Sequence, residues 1–177
     1  MIHDELDMKA SDLQYREEVN RIYKKHYSGL YRYGLKISGS PDMTKDAIQE
    51  LFIQFLGDRK MLSSVKKVDS YLYRSIRNNL LREVRPAPGL PETTQADPEL
   101  EFSHEELLIT EEISSERGQV VARCLNHLPP RQKEIIYLRF YNDLSYDEIA
   151  EVLDISYKTV KNLTYEALNK MRSDLKS

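Results

Sequence analysis

Residues 128–177 read LPPRQKEIIYLRFYNDLSYDEIAEVLDISYKTVKNLTYEALNKMRSDLKS, and no other stretch narrows the fold so far. Ser145 and Glu148 stand three apart, the spacing at which a serine cap and a glutamate exchange hydrogen bonds at a helix start. Ile149, Ala150 and Leu153 then face inward. Asp154-Ile155-Ser156 turns the chain, and Ser156 can cap a final helix. In that helix Val160, Leu163, Ala167 and Met171 recur at three and four, one buried stripe. Tyr157, Lys158, Lys161, Asn162 and Tyr165 are left outside. A basic, amide-bearing helix face just beyond a tight turn is the layout that enters a DNA major groove. Upstream, Val120, Val121, Cys124, Leu125 and Leu128 line one helix. Pro129-Pro130 stops it and opens another, in which Ile135, Ile136, Leu138 and Phe140 are expected in the core.

The first half of the chain predicts a second helical body. Val19, Ile22, Tyr23, His26, Tyr27, Leu30, Tyr33 and Ile37 fall on one stripe of a helix from about Asp12 to Ile37. His26 reads as a packed histidine. Ser38-Gly39-Ser40 ends this helix, and Ser40 with Pro41 suits the start of the next. There Ala47, Ile48, Leu51, Phe52, Phe55 and Leu56 form a wide apolar face, with Asp46, Gln49, Glu50 and Ile53 turned away from it. Gly57 closes it. Residues 58–68 read as a polar, basic loop with at most a helical turn. A third helix begins at Asp69 or Ser70 and carries Leu72, Ile76, Leu80 and Val84 inward. Its other side holds Arg74, Arg77, Asn78, Arg82 and Arg85. Pro86-Ala87-Pro88-Gly89 breaks it, and a flexible linker is expected to follow.

The 177 residues carry a net charge of −3, yet the charges are segregated. From Arg21 to Arg85 there are fourteen Lys and Arg against six Asp and Glu, a net of +8. From Leu90 to Arg117 nine acids face one base, a net of −8. From Ile155 onward five bases face two acids, a net of +3. Two basic blocks thus flank an acidic connector. Phosphate neutralisation supplies most non-specific DNA affinity, so this balance suits a chain delivered to DNA by a larger partner. No apolar run approaches the roughly 20 residues that span a bilayer, and the acidic N-terminus lacks a secretory core. One cysteine, Cys124, excludes an internal disulfide and a cysteine-based zinc cluster; it reads as a buried structural thiol. The four histidines lack metal-ligand spacing, and there is no glycine-rich phosphate loop or nucleophile elbow. No cofactor, metal or catalytic group is therefore expected.

Taken together the motifs resemble the sigma-70 family of RNA polymerase sigma factors, in the small extracytoplasmic-function group. Residues 128–172 are similar to the family's fourth conserved region. KDAIQELFIQF and SYLYRSIRNNLLREVR resemble its second. The resemblance implies an all-α chain of two small helical domains: a region 2-like domain over 1–85, an acidic linker over 86–113 and a region 4-like helix-turn-helix domain over 114–177. It implies a cytoplasmic, non-enzymatic initiation subunit whose partners are core RNA polymerase, promoter DNA and an anti-sigma factor. Carried over, the polymerase contact uses Asp46, Gln49, Glu50 and Ile53. The minus-ten element is held and opened by Lys66, Lys67, Tyr71, Arg74, Arg77, Asn78 and Arg82. Bases pulled from the stack need aromatic faces and a basic track for the backbone. Tyr71 and Arg82 stand where the family commonly carries Trp and an acidic residue. The minus-thirty-five element meets Arg139, Ser156, Tyr157, Lys158, Lys161, Asn162 and Tyr165, with Lys donating to guanine and Asn pairing with adenine. Ser156 and Arg139 are the expected phosphate anchors. The competing reading is a stand-alone regulator that binds DNA as a dimer; it needs a dimer face and a sensor domain, and gives the arginine-rich third helix no task.

Overall fold

The chain divides into two units, separated after Val84, whose regular elements among the described residues are helices. The structure, a computed structural model, describes residues 2–84, 97–103 and 115–175. Among these residues there is no strand.

The first unit is built from α1 (Ile2–Ser38), α2 (Pro41–Gly57), α3 (Arg59–Ser64) and α4 (Val68–Val84). Helix α1 starts ten residues before the expected Asp12. Gly39, at φ +65, turns the chain out of it and returns its N–H to the Leu35 carbonyl at 2.8 Å. Ser40 then caps α2 by accepting from the Met43 N–H, with Pro41 at the first helical position. Helices α1, α2 and α4 pack on one another. Leu30, Tyr33, Ile48, Phe55, Leu72, Ile76 and Leu80 are completely buried between them. Residues 59–64, expected as loop, form a short helix because Asp58 caps it through the Lys60 N–H at 2.9 Å. Leu56 and Val84 were expected in the apolar stripes, but they lie at or beyond the last packed turn and are 52% and 45% exposed.

The second unit contains α5 (Ser115–Asn126), α6 (Pro130–Phe140), α7 (Tyr146–Leu153) and α8 (Tyr157–Asp174). Helix α8 packs against the other three, burying Val160, Thr164 and Ala167. Cys124 is buried, as its apolar neighbours implied, and burial pushes its thiol pKa up. Phe140, expected in the core, is 55% exposed because it is the last residue of α6.

The linker departs most from expectation. Residues 97–103 have no regular secondary structure, yet they are fastened to the second unit. Leu100 and Phe102 are buried. The Phe102 ring meets Tyr137 and Tyr141 at 5.7 and 5.8 Å. Asn126 clamps the Phe102 backbone on both sides, accepting from its N–H at 2.9 Å and donating to its carbonyl at 3.0 Å. Arg131 pairs with Asp97 at 2.6 Å, and Lys133 donates to the Leu100 carbonyl at 3.3 Å. This part of the expected flexible connector is a strap, held because its two apolar side chains outweigh its acidic composition. The rest of 86–113 lies outside the described residues.

Candidate nucleic-acid interface

Local devices at both ends of α7 and at the start of α8 set the helix-turn-helix. Ser145 and Glu148 form the expected reciprocal cap: Glu148 accepts from the Ser145 N–H at 2.7 Å, and Ser145 Oγ accepts from the Glu148 N–H at 3.3 Å. Asp154 takes the left-handed conformation at φ 54 and ends α7. The Ile155 N–H bonds back to the Ala150 carbonyl at 3.1 Å. Ser156 then caps α8 through the Thr159 N–H at 3.0 Å. Its hydroxyl is committed to the helix, so any anion held at this end meets backbone N–H groups first.

With Val160, Thr164 and Ala167 turned inward, Lys158, Lys161, Asn162 and Tyr165 share the opposite face of α8. All four are exposed, and Tyr165 is 70% exposed. Tyr157 is also exposed, and the Lys161 ammonium lies 5.7 Å from its ring centre. Arg139 differs from expectation. It is half-buried, donates to the Leu144 carbonyl at 3.0 Å and lies 5.4 Å over the Tyr146 ring. Its guanidinium secures the loop before α7, and the role of free phosphate anchor does not fit that placement.

In the first unit, Tyr71, Arg74, Asn78 and Arg82 recur at three and four along one side of α4. Arg74 and Arg82 are exposed, as are Lys66 and Lys67 just before the helix. Tyr71 and Asn78 are half-buried, and the Tyr71 ring packs on Phe55 at 5.6 Å. Arg77 must be removed from the set. It is completely buried, because position 77 falls on the inward stripe with Tyr73, Ile76 and Leu80. A guanidinium inside the bundle cannot track a DNA strand. His26 fixes the start of this helix: its Nε2 lies 3.0 Å from Asp69 Oδ1. Burial lowers the His26 pKa, more than the neighbouring Asp69 raises it. The contact is therefore a neutral imidazole N–H donating to a carboxylate near pH 7.

Asp46, Gln49, Glu50 and Ile53 are all exposed along one side of α2, with Ile53 66% exposed. Gln49 and Ile53 join Val19, Tyr23, Phe52 and Leu56 around an open, mostly apolar groove of about 560 Å³ between α1 and α2. Glu50 points elsewhere, into a polar cleft it shares with Asn78, Asn79 and Arg82, where Asn79 donates to it at 3.4 Å. The expected docking stripe is thus continuous along α2 but borders two different surfaces. The sequence reading missed the groove's α1 wall, Val19 and Tyr23, because both looked like ordinary core positions. Among the described residues, no helix is long and apolar enough to cross a membrane.

Two sequence families match the chain. Residues 22–87 match Sigma-70 region 2, and residues 118–171 match Sigma-70, region 4. Among curated proteins, RNA polymerase sigma factor YlaC of Bacillus subtilis is 20% identical over 92% of this chain and 95% of its own length. RNA polymerase sigma factor SigV of the same organism is 27% identical over 85% of this chain and 86% of its own. Among solved structures, the sigma factor RpoE in complex with the anti-sigma factor NepR, from Bartonella quintana, superposes with a TM-score of 0.58. That likeness spans 90% of this chain and 98% of the other at 14% identity, and concerns the fold.

Proposed function

Because the chain belongs to the sigma-70 family of RNA polymerase sigma factors, in its extracytoplasmic-function group, we propose that it carries core polymerase to promoters in the cytoplasm. It binds the core enzyme and directs initiation by recognising minus-ten and minus-thirty-five elements. Chemistry belongs to the polymerase, and this chain supplies positioning and strand separation. One observation carries the reading: an open, Ile53-centred groove and a helix-turn-helix with a clear outward face occur in separate units of one chain. A polar rim around an apolar centre suits a protein partner. An exposed helix face bearing Lys158, Lys161 and Asn162 suits DNA.

In this reading residues 1–85 dock and open the promoter, 86–113 connect, and 114–177 read the upstream element. The α2 stripe of Asp46, Gln49, Glu50 and Ile53 meets the polymerase, with Ile53 as the apolar anchor. Lys66, Lys67, Arg74 and Arg82 track the separated strand, and Tyr71 and Asn78 border it from the same side of α4. Lys158, Lys161, Asn162 and Tyr165 face the upstream major groove, where each good base contact discriminates by about 1–3 kcal/mol. An anti-sigma factor belongs to the same proposal, as for the RpoE of similar fold. Gel shifts on genomic promoter fragments separate this from a stand-alone dimeric regulator. The proposal expects sequence-specific shifts only when core polymerase is present. Specific shifts by the chain alone would favour the regulator.

A further inference from the structure

We propose that Tyr146 and Arg139 are positioning residues that set the base preference of Lys161, through a ladder of stacked cations and rings across the helix-turn-helix. The inference rests on the reading of α8 as the upstream base reader. The ladder begins at the anchored end. Arg139, on the last turn of α6, donates to the Leu144 carbonyl at 3.0 Å and so fixes the loop that leads into α7. Its guanidinium carbon lies 5.4 Å over the Tyr146 ring. Tyr146, the first residue of α7, meets Tyr157 edge to face, with centroids 6.1 Å apart and planes at 77°. Tyr157, the first residue of α8, carries the Lys161 ammonium 5.7 Å from its ring centre. Each spacing is within the range at which a ring quadrupole attracts a cation or a second ring edge.

The direction of the ladder matters. Arg139 and Tyr146 are half-buried, whereas Tyr157 and Lys161 are exposed. Order passes from packed residues to a side chain that is otherwise free to swing. A lysine ammonium is a compact charge on a flexible four-carbon stem. Unrestrained, it neutralises whatever phosphate is near and reads no base. Held over Tyr157, it is confined to one sector beside α8, from which a donor can address a single base edge. Tyr146 touches no DNA in this account. It keeps the Tyr157 ring upright, and Arg139 keeps Tyr146 in place.

The test uses the full chain with core polymerase and promoter fragments in which the upstream element is randomised. Tyr146→Leu keeps apolar bulk but has no π face, and Tyr146→Phe keeps the ring. Tyr146→Leu is expected to lower selectivity roughly two- to fivefold, the worth of an exposed cation–ring contact, at the base pair to which Lys161→Ala becomes indifferent. Tyr146→Phe should retain selectivity, and the Tyr146→Leu, Lys161→Ala double variant should match Lys161→Ala alone. Arg139→Gln should leave the salt dependence of binding unchanged, since a lost phosphate contact reduces that slope by about one. Undiminished selectivity in Tyr146→Leu, or a reduced salt slope in Arg139→Gln, overturns the ladder while Lys161→Ala still relaxes one base pair. If Lys161→Ala changes no base preference at all, the reading of α8 falls first and the ladder with it.

Discussion

At the residue scale, position 34 is glycine because α2 and α4 leave no room there for a side chain on α1. A Cβ on Gly34 would stand 2.8 Å from Thr44 Cγ2 and 3.0 Å from Leu80 Cδ1. Thr44 cannot swing aside freely, since its hydroxyl donates to the Ser40 carbonyl at 2.8 Å and lies 2.9 Å from Ser38 Oγ. Alanine gains about 1 kcal/mol of helix propensity, but overpacking a tight core costs about 1–3 kcal/mol. Gly34→Ala should therefore destabilise the first unit in urea titration; a stabilised variant would show that the approach is slack. His26 makes the second residue-scale case. Burial holds its imidazole pKa below the usual 6.5, with Asp69 opposing and Lys25 assisting. The unfolded chain thus takes up a proton that the folded chain resists, and stability declines as pH falls below about 6.5. Denaturation at pH 7.5 and pH 5.5 should show this loss in the wild type and a smaller one in His26→Gln. Equal losses in both would place the acid sensitivity elsewhere.

At the element scale, the strap of residues 97–103 is as much a part of the second unit as its helices. Phe102 is 4% exposed, and removing a buried phenyl ring costs about 3–5 kcal/mol. Phe102→Ala should raise hydrogen exchange in α5 and α6 while leaving α1 and α4 as they were. No change in α5 and α6 would mean that the strap rests on the unit without supporting it. The helices themselves were largely legible in the sequence. The Ser145–Glu148 cap, the turn at Asp154, the break at Gly39 and the stripes of α2 and α8 are local signals, and each is written within a few residues. The strap was not legible, because its anchors Asn126, Arg131 and Lys133 are more than twenty residues away. Its acidic composition argued for solvent, while two apolar residues decided its placement. Arg77 shows the same limit. Its charge placed it on the outer face, but its register with Ile76 and Leu80 carried it inside. The Tyr146 contact with Tyr157 is likewise a product of tertiary geometry, and no spacing along the chain announces it.

At the scale of the whole molecule, the chain forms two small helical units, and the proposed function divides its work between them. The net charge of −3 leaves the chain weakly attracted to DNA by itself, since that attraction grows with the number of phosphates neutralised. Specific recognition is then expected only when a larger enzyme places both units on one duplex and removes the cost of finding it twice. In the proposed function the groove of the N-terminal unit takes a protein, and the outward face of α8 in the C-terminal unit takes a base sequence. The dependence of one on the other is the centre of the account. Run-off transcription measures it most directly, using purified core polymerase and genomic promoter fragments with and without this chain. Discrete transcripts from defined start sites should appear only when the chain is added, and Ile53→Glu should suppress them. Unchanged transcription on addition of the chain, across all fragments, would contradict the account.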